Sequence, residues 1–288
     1  MVVLQNNDLI VEINEKGAEL NRLYHKKIKK EYLWSGDAQF WGRKAPILFP
    51  IVGKLKDNKM KCHGVEYQMS QHGFARDLPF KTKTTDYDKA VLYCKSDEDT
   101  KKMFPFDWSL FCEYSIQENE IEVKSKVVND SIHEPLFFSI GYHPAFKIPI
   151  DENLNYFDYY LLFNGDEKAE RWMISDGLID ERREIALDKS IIQLNDKTFY
   201  QDALVFKGLK SNEIQIRSDQ SGHGITFSFK GFPYLGIWSK SGASFVCIEP
   251  WHGIADSVHH HGDFLLKEGI MRLNPGEEFD CGYKVALY

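Results

Sequence analysis

The chain has 288 residues, with 36 Lys plus Arg against 43 Asp plus Glu and a formal net charge of −7. An apolar fraction of 43%, with 20 Phe, 14 Tyr and 6 Trp, can fill a large core and excludes wholesale disorder. The acidic balance, relieved only by a short basic cluster at Lys26, Lys27, Lys29 and Lys30, argues against nucleic-acid binding.

In chain order, a turn at Asn6-Asn7-Asp8 leads into Leu9, Val11 and Ile13, which alternate with polar neighbours. The longest apolar run, Ala45 to Val52, is broken by Pro46 and Pro50. It falls far short of the roughly 20 residues that span a membrane. Asp99 to Phe104 reads as one or two helical turns stopped by Pro105, and Asp196 to Gln201 as a second short helix. Ile121, Val123 and Val127 resume the alternation after Glu118-Asn119-Glu120, and Ile214, Ile216, Ile225, Phe227 and Phe229 continue it. Asn274-Pro275-Gly276 marks a late turn. Period two puts one face on a core and one toward water. Many short strands without βα alternation predict an all-β antiparallel sandwich or barrel. With no linker-like stretch and no repeat, residues 1–288 read as a single domain.

The five cysteines (Cys62, Cys94, Cys112, Cys247, Cys281) are odd in number and form no CxxC unit, as expected of reduced, buried thiols in a cytoplasmic protein. No signal peptide is evident at the N-terminus. Nucleotide-binding glycine motifs, HExxH, an EF-hand loop and GxSxG are all missing. His259-His260-His261 is tempting as a metal site. Successive side chains on an extended chain point to opposite faces, however, so the run reads as a solvated loop.

Three segments place a titratable residue beside a strand-ending Gly or Pro: Gln71-His72-Gly73-Phe74-Ala75-Arg76, Gly141-Tyr142-His143-Pro144-Ala145-Phe146, and Cys247-Ile248-Glu249-Pro250-Trp251-His252-Gly253. Rigid placement at a sheet mouth suits acid/base catalysis. Each also has a structural reading: a turn hydrogen bond for His72, a satisfied core imidazole for His143, a salt bridge for Glu249. Arg43 and Asp202 equally read as an edge charge and a helix-end residue.

Together with Gly17-Ala18-Glu19-Leu20, Phe40-Trp41-Gly42-Arg43 to Phe49-Pro50, and Leu273-Asn274-Pro275-Gly276-Glu277, these segments resemble the aldose 1-epimerase (galactose mutarotase-like) family over nearly the whole chain. Tyr142 and Pro144 around the second histidine, and Pro250-Trp251 after the glutamate, depart from the central galactose mutarotase pattern and look closer to the LacX-like branch. His72-Gly73-Phe74-Ala75-Arg76 also resembles the hexose-6-phosphate 1-epimerase branch.

The resemblance implies a large antiparallel β-sandwich, a supersandwich of the galactose mutarotase type. It implies interconversion of α and β anomers, with Glu249 as general base at O1, His143 as general acid at O5 and His72 supporting them. Arg43 and Asp202 match positions that grip sugar hydroxyls. Arg76 is a further candidate for substrate binding, and Trp251, Trp41 or Phe74 for stacking on the pyranose. No metal and no cofactor is required by such chemistry. The expected partner is a small sugar or sugar phosphate, with no nucleic acid and no membrane, and the chain as monomer or homodimer. A non-catalytic sugar-binding module and a cupin-like metal enzyme are the competing classes.

Overall fold

The computed structural model describes residues 1–165 and 167–288. Two large sheets dominate. The first has nine strands in the order Ile191–Gln193, Tyr160–Phe163, Glu213–Arg217, Ile225–Ser228, Glu278–Leu287, Glu120–Asn129, Trp108–Gln117, Lys89–Lys95 and Lys81–Thr85. The second runs Leu178–Leu187, Ala169–Ser175, Leu204–Lys207, Tyr234–Trp238, Phe245–His252, Ile140–Tyr142 and Ile47–Leu48, with Ala145–Lys147 also paired to Phe245–His252. Neighbouring strands within both sheets are antiparallel. A four-stranded sheet formed by Val2–Gln5, Leu9–Ile13, Leu20–His25 and Lys30–Glu31 precedes them in the chain.

The period-two reading holds in the strands that have one wet face. Glu120–Asn129 buries Ile121, Val123 and Val127, and Leu9–Ile13 buries every second residue. One apolar cluster joins the inner faces of the two large sheets, with Leu110, Val123, Phe227 and Val285 meeting Phe206, Ile237, Val246 and Ile248. Ring pairs such as Phe146–Phe227 and Phe163–Phe206 cross the gap at centroid distances of 5.8 and 6.3 Å. The all-β antiparallel sandwich expected from the sequence is the fold observed.

The helical expectations divide. Glu98–Lys101 forms a short α-helix with a capping box: Asp97 Oδ1 accepts from the Thr100 amide at 2.8 Å, and Thr100 Oγ1 accepts from the Asp97 amide at 2.8 Å. The helix expected over Asp196 to Gln201 is instead a series of turns. There the Lys197 amide donates to Asn195 Oδ1 at 2.9 Å and the Asn195 amide to Thr198 Oγ1 at 3.1 Å. Side chains that capture backbone amides in this way compete with a helical ladder.

What places the site is the strand Phe245–His252, buried along its length except at His252. Alternation sends Val246 and Ile248 into the inter-sheet core, and Phe245, Cys247, Glu249 and Trp251 to the opposite face. That second face is roofed by loops instead of water, so the strand reads as a continuous apolar run.

Candidate active site

Glu249 and Trp251 rise from this roofed face into a cavity of about 270 Å³, lined also by Trp41, His72, Arg76, His143, Asp202 and Trp238. Residues from six separated stretches of chain thus converge on one space. Its volume is close to the lower end of ordinary small-molecule sites, ~300 Å³.

His143 follows the strand Ile140–Tyr142, and its amide donates to the Pro46 carbonyl at 3.1 Å. Pro144 then leads into Ala145–Lys147, which pairs with Cys247 through Ala145. This tight connection holds the imidazole over Glu249, with Nε2 at 3.2 Å from Oε2. Trp41 stacks on the imidazole at 4.7 Å and 26° between planes. Trp238 and His72 meet it edge-on at 5.9 and 5.6 Å.

Enclosure disfavours both charges. Burial lowers His143 to about 3, and the fields of Arg76 and Arg43 add to the effect. Burial raises Glu249 well above the usual carboxylate range, aided by Asp202. Both shifts favour the uncharged forms, a protonated carboxyl beside a neutral imidazole.

His72 reaches the same space from a turn. Its φ of +67° lies in the left-handed region that non-glycine residues seldom occupy. The next residue, Gly73, has φ +70°, and a Cβ there would lie 2.3 Å from the Phe49 carbonyl oxygen. That close approach fixes the turn against the Phe49–Pro50 segment. The Gly53 amide donates to His72 Nδ1 at 3.2 Å, so Nδ1 is the acceptor and the neutral ring carries its proton on Nε2. Burial, with His143, Arg76 and Arg43 nearby, holds His72 well below its ordinary range. Asp202 is also left-handed, at φ +75°, and its carboxylate accepts from the Ala203 amide at 2.8 Å.

Trp251 is accommodated by two glycines on the flanking strands. A Cβ at Gly141 would lie 2.6 Å from its indole, and one at Gly236 only 2.4 Å. The indole N–H is buried without a hydrogen-bond partner.

The arginines stand at the rim. Arg76 Nη2 donates to the Gln71 carbonyl at 2.7 Å, while its Nε is buried without a hydrogen-bond partner, 4.0 Å from Asp77 Oδ2. Arg43 lies outside the central cavity, in a neighbouring one of about 490 Å³ that shares Trp41 and Arg76 with it. Its Nη2 donates to both oxygens of Asp77, at 2.9 and 3.2 Å. Phe74 packs in the main core. Lys44 and Lys54, near in sequence, turn elsewhere: Lys44 Nζ donates to the Asn21 carbonyl and Lys54 Nζ pairs with Asp176. His259 and His261 are exposed in a loop, and His260 is half-buried, 4.0 Å from Asp256. Trp238 and Gln71 line the cavity without having been singled out by sequence; Gln71 adjoins His72 and was within reach, whereas Trp238 carried no local signal.

A family model described as aldose 1-epimerase matches residues 1–269. The chain belongs to the aldose 1-epimerase family. A galactose mutarotase related enzyme from Lactobacillus acidophilus superposes with a TM-score of 0.96 at 33% identity, covering 100% of this chain and 97% of that one. A galactose mutarotase-like protein from Lactobacillus casei gives 0.94 at 29%, with both chains fully covered. Protein LacX of Lactococcus lactis subsp. lactis is 27% identical over 99% of each chain. The LacX-like character seen in the sequence is therefore borne out. This aldose 1-epimerase family member is an isomerase with a general mutarotase or epimerase role, and the non-catalytic sugar-binding class is set aside. Among the described residues no helix is long and apolar enough to cross a membrane.

Proposed function

We propose that the chain interconverts the α and β anomers of a free hexose, with Glu249 and His143 carrying the protons. The observation that supports this reading is the 3.2 Å contact between two buried titratable side chains that both line the cavity. Ring opening removes a proton from the C1 hydroxyl and delivers one to the ring oxygen. The C1–C2 bond then rotates, and reclosure runs the two transfers backward.

The pair meets this demand with one proton in total. Moving it from Glu249 to His143 across their contact makes the carboxylate a base for the C1 hydroxyl and the imidazolium an acid for the ring oxygen. After ring opening the proton sits on Glu249 and His143 is neutral, so the reverse step starts from the other member. No net charge enters or leaves the pocket. His72 donates from Nε2 toward the same end. Asp202 and Arg76 bind hydroxyls, and the Trp251, Trp41 and Trp238 faces supply the apolar walls a pyranose needs. All five cysteines are unpaired, which supports a reducing, cytoplasmic setting.

One observation favours a second reading, a hexose 6-phosphate. Arg76 borders both the central cavity and the neighbouring one that holds Arg43. Against it, Arg43 is already engaged by Asp77, so a phosphate would have to displace a carboxylate that makes two hydrogen bonds. Anomeric exchange by NMR on glucose, galactose and their 6-phosphates, at low and high salt, separates the two. A free-sugar enzyme shows no salt-sensitive preference for phosphate. A preference above about tenfold, roughly 1.4 kcal/mol, that is lost in Arg76→Ala would establish the phosphate reading instead.

A further inference from the structure

We propose that His143, Cys247 and Glu249 form a binding site for a thiophilic divalent cation of the zinc type, and that filling it switches the acid/base pair off. A ring nitrogen of His143, the Cys247 sulfur and a Glu249 carboxylate oxygen all lie within 4.8 Å of one another, and all three residues are buried. Strand geometry makes the grouping rigid. Cys247 and Glu249 are two apart on Phe245–His252 and share a face. Ala145 pairs with Cys247 across the ladder, which brings His143, two residues earlier, over the same spot.

The donor set selects the ion. One sulfur, one imidazole nitrogen and one carboxylate oxygen suit a borderline-soft cation, whereas calcium and magnesium prefer oxygen alone. Ordinary zinc–ligand lengths of about 2.0–2.3 Å place tetrahedral ligand atoms about 3.3–3.6 Å apart. His143 Nε2 and Glu249 Oε2, 3.2 Å apart, already stand near that spacing, and the Cys247 sulfur lies within 4.8 Å, in reach of a small side-chain adjustment. His143 and Glu249 line the cavity, from which water or a sugar hydroxyl would supply a fourth ligand. His143 Nδ1 is moreover buried without a hydrogen-bond partner, so this imidazole is not committed to a fixed second neighbour.

Binding balances in charge. The thiol and carboxyl protons leave for solvent, and their two negative charges offset the two positive charges of the ion beside a neutral imidazole. With both members ligated, neither is free to exchange protons with a sugar. The inhibitory part of this inference rests on the acid/base reading of the pair; the binding part does not.

The experiment titrates the full-length protein with Co²⁺ as a visible probe. Wild type is expected to gain a sulfur-to-cobalt charge-transfer band and tetrahedral visible bands at one equivalent, and Zn²⁺ to displace them. Cys247→Ala and Cys247→Ser, checked for folding by circular dichroism, should lose the band. Anomeric exchange in wild type should be inhibited by Zn²⁺ and restored by chelator, and the Cys247 variants should need at least about tenfold more Zn²⁺ for half inhibition. A wild type without the charge-transfer band overturns the site, as does a band that persists without Cys247. A band at one equivalent with full activity retained supports the site but overturns the acid/base role of the pair.

Discussion

His143 Nε2 lies 3.2 Å from Glu249 Oε2, with the two side chains only 9% and 3% exposed. Two groups that both resist charging have been placed together away from water. Such an arrangement is costly for a fold and useful for proton transfer.

The cost is measurable on Glu249. Its folded pKa is raised above the unfolded 4.5, chiefly by burial. The native state therefore holds a proton that the unfolded chain releases, and stability declines as pH rises through 4.5 and on to the folded pKa. Glu249→Gln removes the ionisable group and keeps the shape. At pH 7–8 its Tm should rise, by about 1–2 °C for a gain of about 1 kcal/mol, in differential scanning calorimetry. A lower Tm would show that the carboxylate is stabilised in the native protein.

The pH profile carries the second signature. His143 is lowered to about 3 by burial and by Arg76 and Arg43. The pair therefore gains its second proton only near pH 3, well below an ordinary histidine. kcat/KM, corrected for the spontaneous reaction, should stay level through pH 6.5 and fall only as the protein approaches pH 4 and below. An acid limb with its midpoint near 6.5 would mean that a histidine of ordinary pKa controls the rate.

Trp41 is what shields His143 on its stacked side, at 4.7 Å. Trp41→Ala admits water and weakens the desolvation that depresses the imidazole. The His143 pKa, followed by NMR of the ring carbon-bound protons, should move upward toward 6.5. An unchanged titration would show that Trp41 does not supply the desolvation.

Gly236 faces Glu249 across the ladder, and a Cβ there would lie 2.4 Å from the Trp251 indole. Gly236→Ala should displace the indole, destabilise the fold by about 1–3 kcal/mol and raise KM. Urea unfolding and steady-state kinetics test this together. Wild-type values in both would show that the ring has room to move.

Much of the fold was legible because antiparallel strands with one wet face leave an alternating pattern, as in Glu120–Asn129. The strand bearing Glu249 hid its facing, since loops carrying Trp34, Phe40 and Trp41 roof the side that would otherwise be polar. His72, His143, Asp202, Arg76, Trp251 and Glu249 do line one cavity, and Arg43 sits in the next. The segments around His72, His143 and Glu249 stood out because Gly and Pro mark where the strands stop. Trp238 was invisible to that logic: it ends an apolar strand among 40 aromatic residues and is recruited only by three-dimensional packing. The turns at Asp196 to Gln201 were misread because side-chain capture of amides is decided by local geometry that composition does not encode.

Saturation-transfer NMR between the α and β anomeric signals reports whether Glu249 and His143 move the protons of ring opening. Wild type, Glu249→Gln and His143→Asn are compared on the best substrate of the hexose panel, with the uncatalysed exchange subtracted and folding verified. Each variant is predicted to lose at least about 10²-fold in exchange rate while remaining folded. Exchange near the wild-type rate in either folded variant would mean that the pair does not carry the protons.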